Sequence, residues 1–165
     1  MRILGIDPGI ASTGFGCIDV NQRHEMKLVE CGVIKTLPKK DMGSRLHIIH
    51  DTLELICQRL KPDIMVVERL FFNTNQKTAI IVGQARGVIL MTGAKAKITT
   101  HEFTPIQVKV AVTGYGRAEK KQVQEMVKII LNLETVPKPD DAADALALAI
   151  CYKQHAHLLA LTPDT

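Results

Sequence analysis

Hydrophobic and polar positions change period several times along the chain, and each change marks an element. Residues 3–6 (Ile-Leu-Gly-Ile) are a short apolar run ending in Asp7-Pro8-Gly9, the pattern of a buried strand closed by a tight turn. Strand-like stretches at 14–20 and 28–36 follow, separated by the polar residues 21–25. Three strands in succession, joined by short turns, predict antiparallel neighbours. After a loop at 37–43, Leu46, Ile49, Leu53, Ile56 and Leu60 recur at intervals of three and four, which predicts a helix stopped at Lys61-Pro62-Asp63. Ile64-Met65-Val66-Val67 is continuously apolar, as in a strand covered on both faces, and Glu68 closes it. The pattern then predicts a helix over about 74–94 and a strand over about 97–103. Helices near 105–112 and 117–133 follow, broken at 113–116, and after a loop at 134–140 a last helix starts at about 141.

Strands in series followed by alternating helices and strands predict an α/β fold, one mixed sheet with helices on its faces. The 165 residues, 46% hydrophobic, fit a single domain with a mainly aliphatic core, and the residues after about 158 are expected to be loosely held. No internal repeat, low-complexity segment or linker interrupts the chain. The formal net charge of +4 fits a polyanionic partner without demanding one. Cysteines 17, 31, 57 and 151 lack C-x-x-C spacing, so reduced thiols are expected rather than a zinc or redox motif. The six histidines form no ligand pattern either. Met1-Arg2 runs directly into a strand pattern, and no apolar run is long enough to cross a membrane. The expectation is a soluble cytoplasmic protein without membrane association.

The acidic residues carry the chemistry. Asp7 and Glu68 each end an apolar strand, where ligands of α/β sheets gather. Asp7 also suits an Asx-type turn, and Glu68 an ion pair with Arg69. Asp140, Asp141 and Asp144 open the last helix. Asp140 reads as its N-cap, and Asp141 complements the helix dipole. Asp144 resists such an explanation, because the helix continues Ala-Leu-Ala-Leu-Ala-Ile-Cys and is apolar on nearly every side. Asp141 and Asp144, three residues apart, share one helix face and repel each other; a bound cation relieves that repulsion. Oxygen-only ligands suit Mg2+ or Mn2+. Two strand ends and one helix start can converge at one end of a sheet, as two-metal phosphodiester hydrolysis requires.

These residues sit in a wider set of motifs. They include Gly5-Ile6-Asp7-Pro8-Gly9 with Thr13-Gly14-Phe15-Gly16, Val67-Glu68-Arg69-Leu70-Phe71 and Gly83-Gln84-Ala85-Arg86-Gly87-Val88. Gln107-Val108-Lys109, Ala118-Glu119-Lys120 and Asp141-Ala142-Ala143-Asp144-Ala145-Leu146-Ala147 follow in order. Together they resemble the RuvC family of crossover (Holliday) junction endodeoxyribonucleases over nearly the whole chain. The resemblance implies a ribonuclease H-like fold, a five-stranded mixed sheet flanked by helices. It implies that Asp7, Glu68, Asp141 and Asp144 are the catalytic and metal-binding acids, holding Mg2+, two per subunit, with Mn2+ as a substitute. Some members carry His where this chain has Asp141. A homodimer is implied that grips a four-way DNA junction and makes paired symmetric nicks with 5′-phosphate and 3′-hydroxyl ends, with RuvA and RuvB as partners in recombination and DNA repair.

The resemblance extends to residues that handle DNA. Phe71 would stack on bases at the crossover, although Phe71 and Phe72 could equally anchor the next helix in the core. Lys109 and Lys120 match lysines near the family's active site and would hold phosphates, and Arg117 and Lys121 enlarge the same basic stretch. Residues 79–91 are too apolar for one buried helix face, and Gly83, Ala85 and Gly87 would allow another helix to approach. The resemblance places the dimer interface there. Two other readings compete with it. An actin-like phosphotransferase would need a second nucleotide-clamping domain and a second phosphate loop. A protein that only binds junctions is at odds with retention of all four acids.

Overall fold

The computed structural model describes residues 1–69 and 76–161, without the side chains of 76–78 and 157–161. Its strands are β1 (Arg2–Asp7), β2 (Ser12–Val20), β3 (Met26–Lys35), β4 (Ile64–Glu68) and β5 (Thr99–Phe103). Its helices are α1 (Met42–Leu60), α2 (Gln76–Lys95), α3 (Pro105–Thr113), α4 (Lys120–Ile130) and α5 (Asp140–Leu161). The strands form one sheet in the order β3-β2-β1-β4-β5. As the short turns predict, β1, β2 and β3 are antiparallel neighbours, whereas β4 and β5 run parallel to β1 after helical crossovers. This is the five-stranded mixed sheet of the ribonuclease H-like fold, with helices on both faces.

Period-two alternation divides the core. Ile3, Ile18, Val66 and Phe103 face one side and pack with Val108 and Val112 of α3, Val123 and Val127 of α4, and Leu146, Leu148 and Ile150 of α5. Leu4, Ile6, Met65 and Val67 face the other side, against Ile49, Leu53 and Ile56 of α1 and Ala85 and Ile89 of α2. Because β1 and β4 are covered on both faces, their sequences are continuously apolar rather than alternating.

The elements differ from the sequence pattern mainly at their ends. β2 and β3 begin two residues before their apolar runs, because the ladder extends over Ser12, Thr13, Met26 and Lys27. β5 starts at Thr99 rather than 97, since Lys97 takes a left-handed conformation as the chain leaves α2. α4 spans 120–130 rather than 117–133. It ends where Leu133 N–H bonds Lys128 C=O and Asn132 turns left-handed. Asp41 caps α1 by accepting from Ser44 N–H at 2.9 Å. Thr104 and Gln107 form a capping box ahead of Pro105 in α3.

Asp140, expected to cap the last helix, is instead its first residue. Its carboxylate is engaged by the Lys138 and Lys120 ammoniums, at 3.4 and 3.8 Å, so it acts through charge in the first turn. The helix persists to Leu161; of the residues after about 158 that were expected to be loosely held, 162–165 lie outside the described set. No helix among the described residues is long and apolar enough to cross a membrane.

Candidate active site

Asp7 and Glu68 are the last residues of adjacent parallel strands, in register through the Ile6–Val67 pair. Both therefore emerge at the same edge of the sheet, the carboxyl edge where α5 begins. How close α5 comes is decided by glycine. A Cβ on Gly5 of β1 would collide with the Ala145 carbonyl oxygen, and one on Gly14 of β2 would collide with that of Asp141. Gly14 is also the register partner of Asp7. With these side chains absent, the main chain of α5 lies directly on the sheet and carries Asp141 and Asp144 to Asp7.

Carboxylate oxygens of Asp7, Asp141 and Asp144 all lie within 4.8 Å of one another. Glu68 lines the same cleft, outside that tight triad; its charge acts on Asp7, and that of Asp144 acts on it. Burial, reinforced by the charges of Glu68, Asp144 and Asp141, pushes the Asp7 carboxyl up to about 8. Burial and Asp144 likewise raise Glu68, and burial raises Asp144 against the opposing effect of Lys120. Lys120 Nζ donates to Asp144 Oδ2 at 2.7 Å. Burial opposes its charge, yet the bond to Asp144 and the surrounding acids hold its ammonium above the ordinary lysine value.

The cleft, about 220 Å³, has one acidic and one apolar wall. Asp7, Glu68 and Asp144 form the first, Pro105, Val108, Val123, Ala147 and Leu148 the second, and Lys109 and Lys120 complete the lining. No histidine or cysteine is among these residues, so the donor set is hard oxygen only. Several carboxylates with raised affinity for protons, sharing one cleft with a single bonded ammonium, are short of positive charge. This arrangement fits divalent cations of the Mg2+ or Mn2+ type.

The other expected site residues divide. Lys109 and Lys120 are at the cleft; Arg117 and Lys121 are exposed and do not line it. Phe71 lies outside the described residues. On α2, Gly87 has open space where a side chain would be. Gly83 is half-buried. Ala85 is fully buried against the core. Its neighbours on the outer side, Ile80 and Met91, are 64% and 50% exposed. The apolar wall escaped the sequence reading because Val108, Val123 and Leu148 look like ordinary core positions. Glu102 escaped as well: nothing in its local pattern foretells that it meets Arg86 and Arg69.

Comparison with known proteins identifies the lineage of this geometry. The sequence profile described as crossover junction endodeoxyribonuclease RuvC matches residues 3–152. Crossover junction endodeoxyribonuclease RuvC of Halothermothrix orenii is 53% identical over 152 residues, 92% of each chain. The Thermus thermophilus RuvC structure superimposes with a TM-score of 0.88 at 34% identity, covering 96% of both chains. T. thermophilus RuvC in complex with Holliday junction substrate gives a TM-score of 0.87 at 32% identity, with the same coverage. The match spans the strand ends, the glycines beneath α5 and the acids at its start: the chain belongs to the RuvC family of crossover junction endodeoxyribonucleases.

Proposed function

We propose that this protein resolves four-way (Holliday) DNA junctions by paired symmetric hydrolytic nicks, leaving 5′-phosphate and 3′-hydroxyl ends that a ligase can seal. The carrying observation is the convergence of Asp7, Asp141 and Asp144 within 4.8 Å beside Glu68 and two lysines. Asp7, Glu68, Asp141 and Asp144 are the catalytic acids and would hold Mg2+, two ions per subunit, with Mn2+ able to replace it. Bound there, the ions would neutralise the scissile phosphate, activate the attacking water and stabilise the leaving oxygen.

The chain's own side chains organise the rest. Asp7, which lies between Glu68 and the α5 acids, would be the central ligand and the least replaceable. Lys120 holds Asp144 in place by its 2.7 Å bond and stands ready for a phosphate oxygen when that bond is released. Lys109 faces the cleft from α3 and would steady the backbone on the far side. Arg117 and Lys121, exposed on the adjoining corner, would meet phosphates farther along the strand. Phe71 would stack on unpaired bases at the crossover. The outer side of α2, with Ile80, Gly83, Gly87 and Met91, would pair with a second copy about a two-fold axis, placing two active sites on a two-fold junction. RuvA and RuvB are the expected partners, in recombination and repair in the cytoplasm.

The test is incubation with a synthetic four-way junction with and without Mg2+. Paired symmetric nicks should appear only with the metal. Asp7→Asn should lose cleavage by a factor of at least about 1,000, within the range for removal of a central catalytic group, while junction binding persists. Cleavage that survives Asp7→Asn would overturn the assignment.

A further inference from the structure

Two arginines in the motifs named above, Arg69 and Arg86, have no part in the cleft, and they meet at one carboxylate. Glu102 lies on β5 opposite Val67 of β4. The side chain of Val67 faces α1 and α2, whereas that of Phe103 faces α3 to α5, so strand alternation directs Glu102 to the α2 side of the sheet. There one of its oxygens accepts from Arg86 Nη2 of α2, and the other lies 3.5 Å from Arg69 Nε. Arg69 is the residue after Glu68, and its own N–H bonds the Phe103 carbonyl at 2.8 Å. The end of β4 is thus fixed twice over, by its main chain to β5 and by its side chain to Glu102.

We propose that Glu102 is a positioning residue for the reaction, holding Arg69 and Arg86 so that Glu68 stays aimed into the cleft. Arg86 is only 20% exposed, and its Nε is buried without a partner among the described residues. Glu102 is therefore the charge that makes this buried guanidinium tolerable. Without it, two guanidiniums confront each other. The freer one, Arg69 at 60% exposure, moves first. Arg69 is joined to Glu68 by a single peptide bond, so the displacement passes directly to a metal-facing carboxylate. The device also connects α2, at the back of the sheet, to the front edge that carries the chemistry.

This inference rests on the reading of Glu68 as a metal ligand. Glu102→Gln should lower turnover on a four-way junction roughly 10- to 100-fold, the range for residues that support metal ligands. It should weaken Mn2+ binding, measured by calorimetry without DNA, by a similar factor. Junction affinity in metal-free buffer should stay within about twofold of wild type, since Glu102 meets no phosphate. If Glu102→Gln does not fold, Glu102→Met combined with Arg86→Met removes the guanidinium repulsion but still deprives Arg69 of its anchor, so losses of turnover and Mn2+ affinity in the same direction are expected at a native-like melting temperature. Wild-type turnover and Mn2+ affinity in a folded variant would overturn the proposal, and so would an equal loss of junction binding. A wild-type protein that does not cut junctions with Mg2+ would sink the nuclease reading itself, which is a different failure.

Discussion

Asp7 concentrates the electrostatics of the site in one residue. Its carboxyl is held at about 8 by burial and by Glu68, Asp144 and Asp141, against 3.8 for an ordinary aspartate. The folded chain retains a proton that the unfolded chain has already released, so metal-free stability falls as pH rises between those two values. A cation must displace that proton to bind. Affinity for Mg2+ should therefore drop about tenfold per pH unit below about 8, as expected for one proton released per ion. Calorimetric titrations at pH 6, 7 and 8 measure this, and a flat profile would show that Asp7 binds the ion already ionised. In the sequence, Asp7 and Glu68 were recognisable as acids ending apolar strands, and Asp144 as a charge on a helix otherwise apolar. Their mutual distance was not readable, because it depends on how far α5 sinks toward the sheet. Asp140 and Asp141 are chemically identical neighbours, and only the helix start distinguishes the one that meets Lys138 from the one that meets Asp7.

Among the elements, the contact of α5 with β1 and β2 matters most. Gly5 and Gly14 let main chain touch main chain, so the acids' positions depend on the absence of two methyl groups. Gly14→Ala should cost about 1–3 kcal/mol as an overpacking substitution. Calorimetric melting should register a fall of a few degrees, with turnover on a junction lower still because Asp141 moves outward. An unchanged melting temperature and rate would mean that α5 has slack that its packing does not reveal. Element type and order were legible because the hydrophobic period changes cleanly between strands and helices. The ends were less so. Ladder pairing extends β2 and β3 beyond their apolar runs, and left-handed Lys97 fixes a boundary at a residue with no turn signature, while Asn132, a residue suited to that conformation, lies within an otherwise helical pattern.

At the scale of the whole molecule, the two faces of the sheet have different work. The α3–α5 face builds the cleft, and the α1–α2 face leaves Ile80 and Met91 in solvent on the outer side of α2. Charging that side with Ile80→Lys and Met91→Lys should convert the proposed dimer to monomers in sedimentation equilibrium and turn paired nicks into single, uncoordinated ones. Retention of the dimer would move the interface elsewhere. Both exposed residues could be called apolar from sequence, but not outward-facing, since α2 has apolar positions all round and no dominant stripe to orient it. The glycine seating of α5 has a consequence for tolerance to change. Because backbone contact sets the spacing of Asp7, Asp141 and Asp144, that spacing does not depend on the side chains of α1, and from the opposite layer it is Arg86 of α2 that reaches the site, through Glu102. Drift among Ile49, Leu53 and Ile56 should trade melting temperature freely while leaving the chemistry untouched, so the protein can adapt to heat or cold along α1 without retuning the acids.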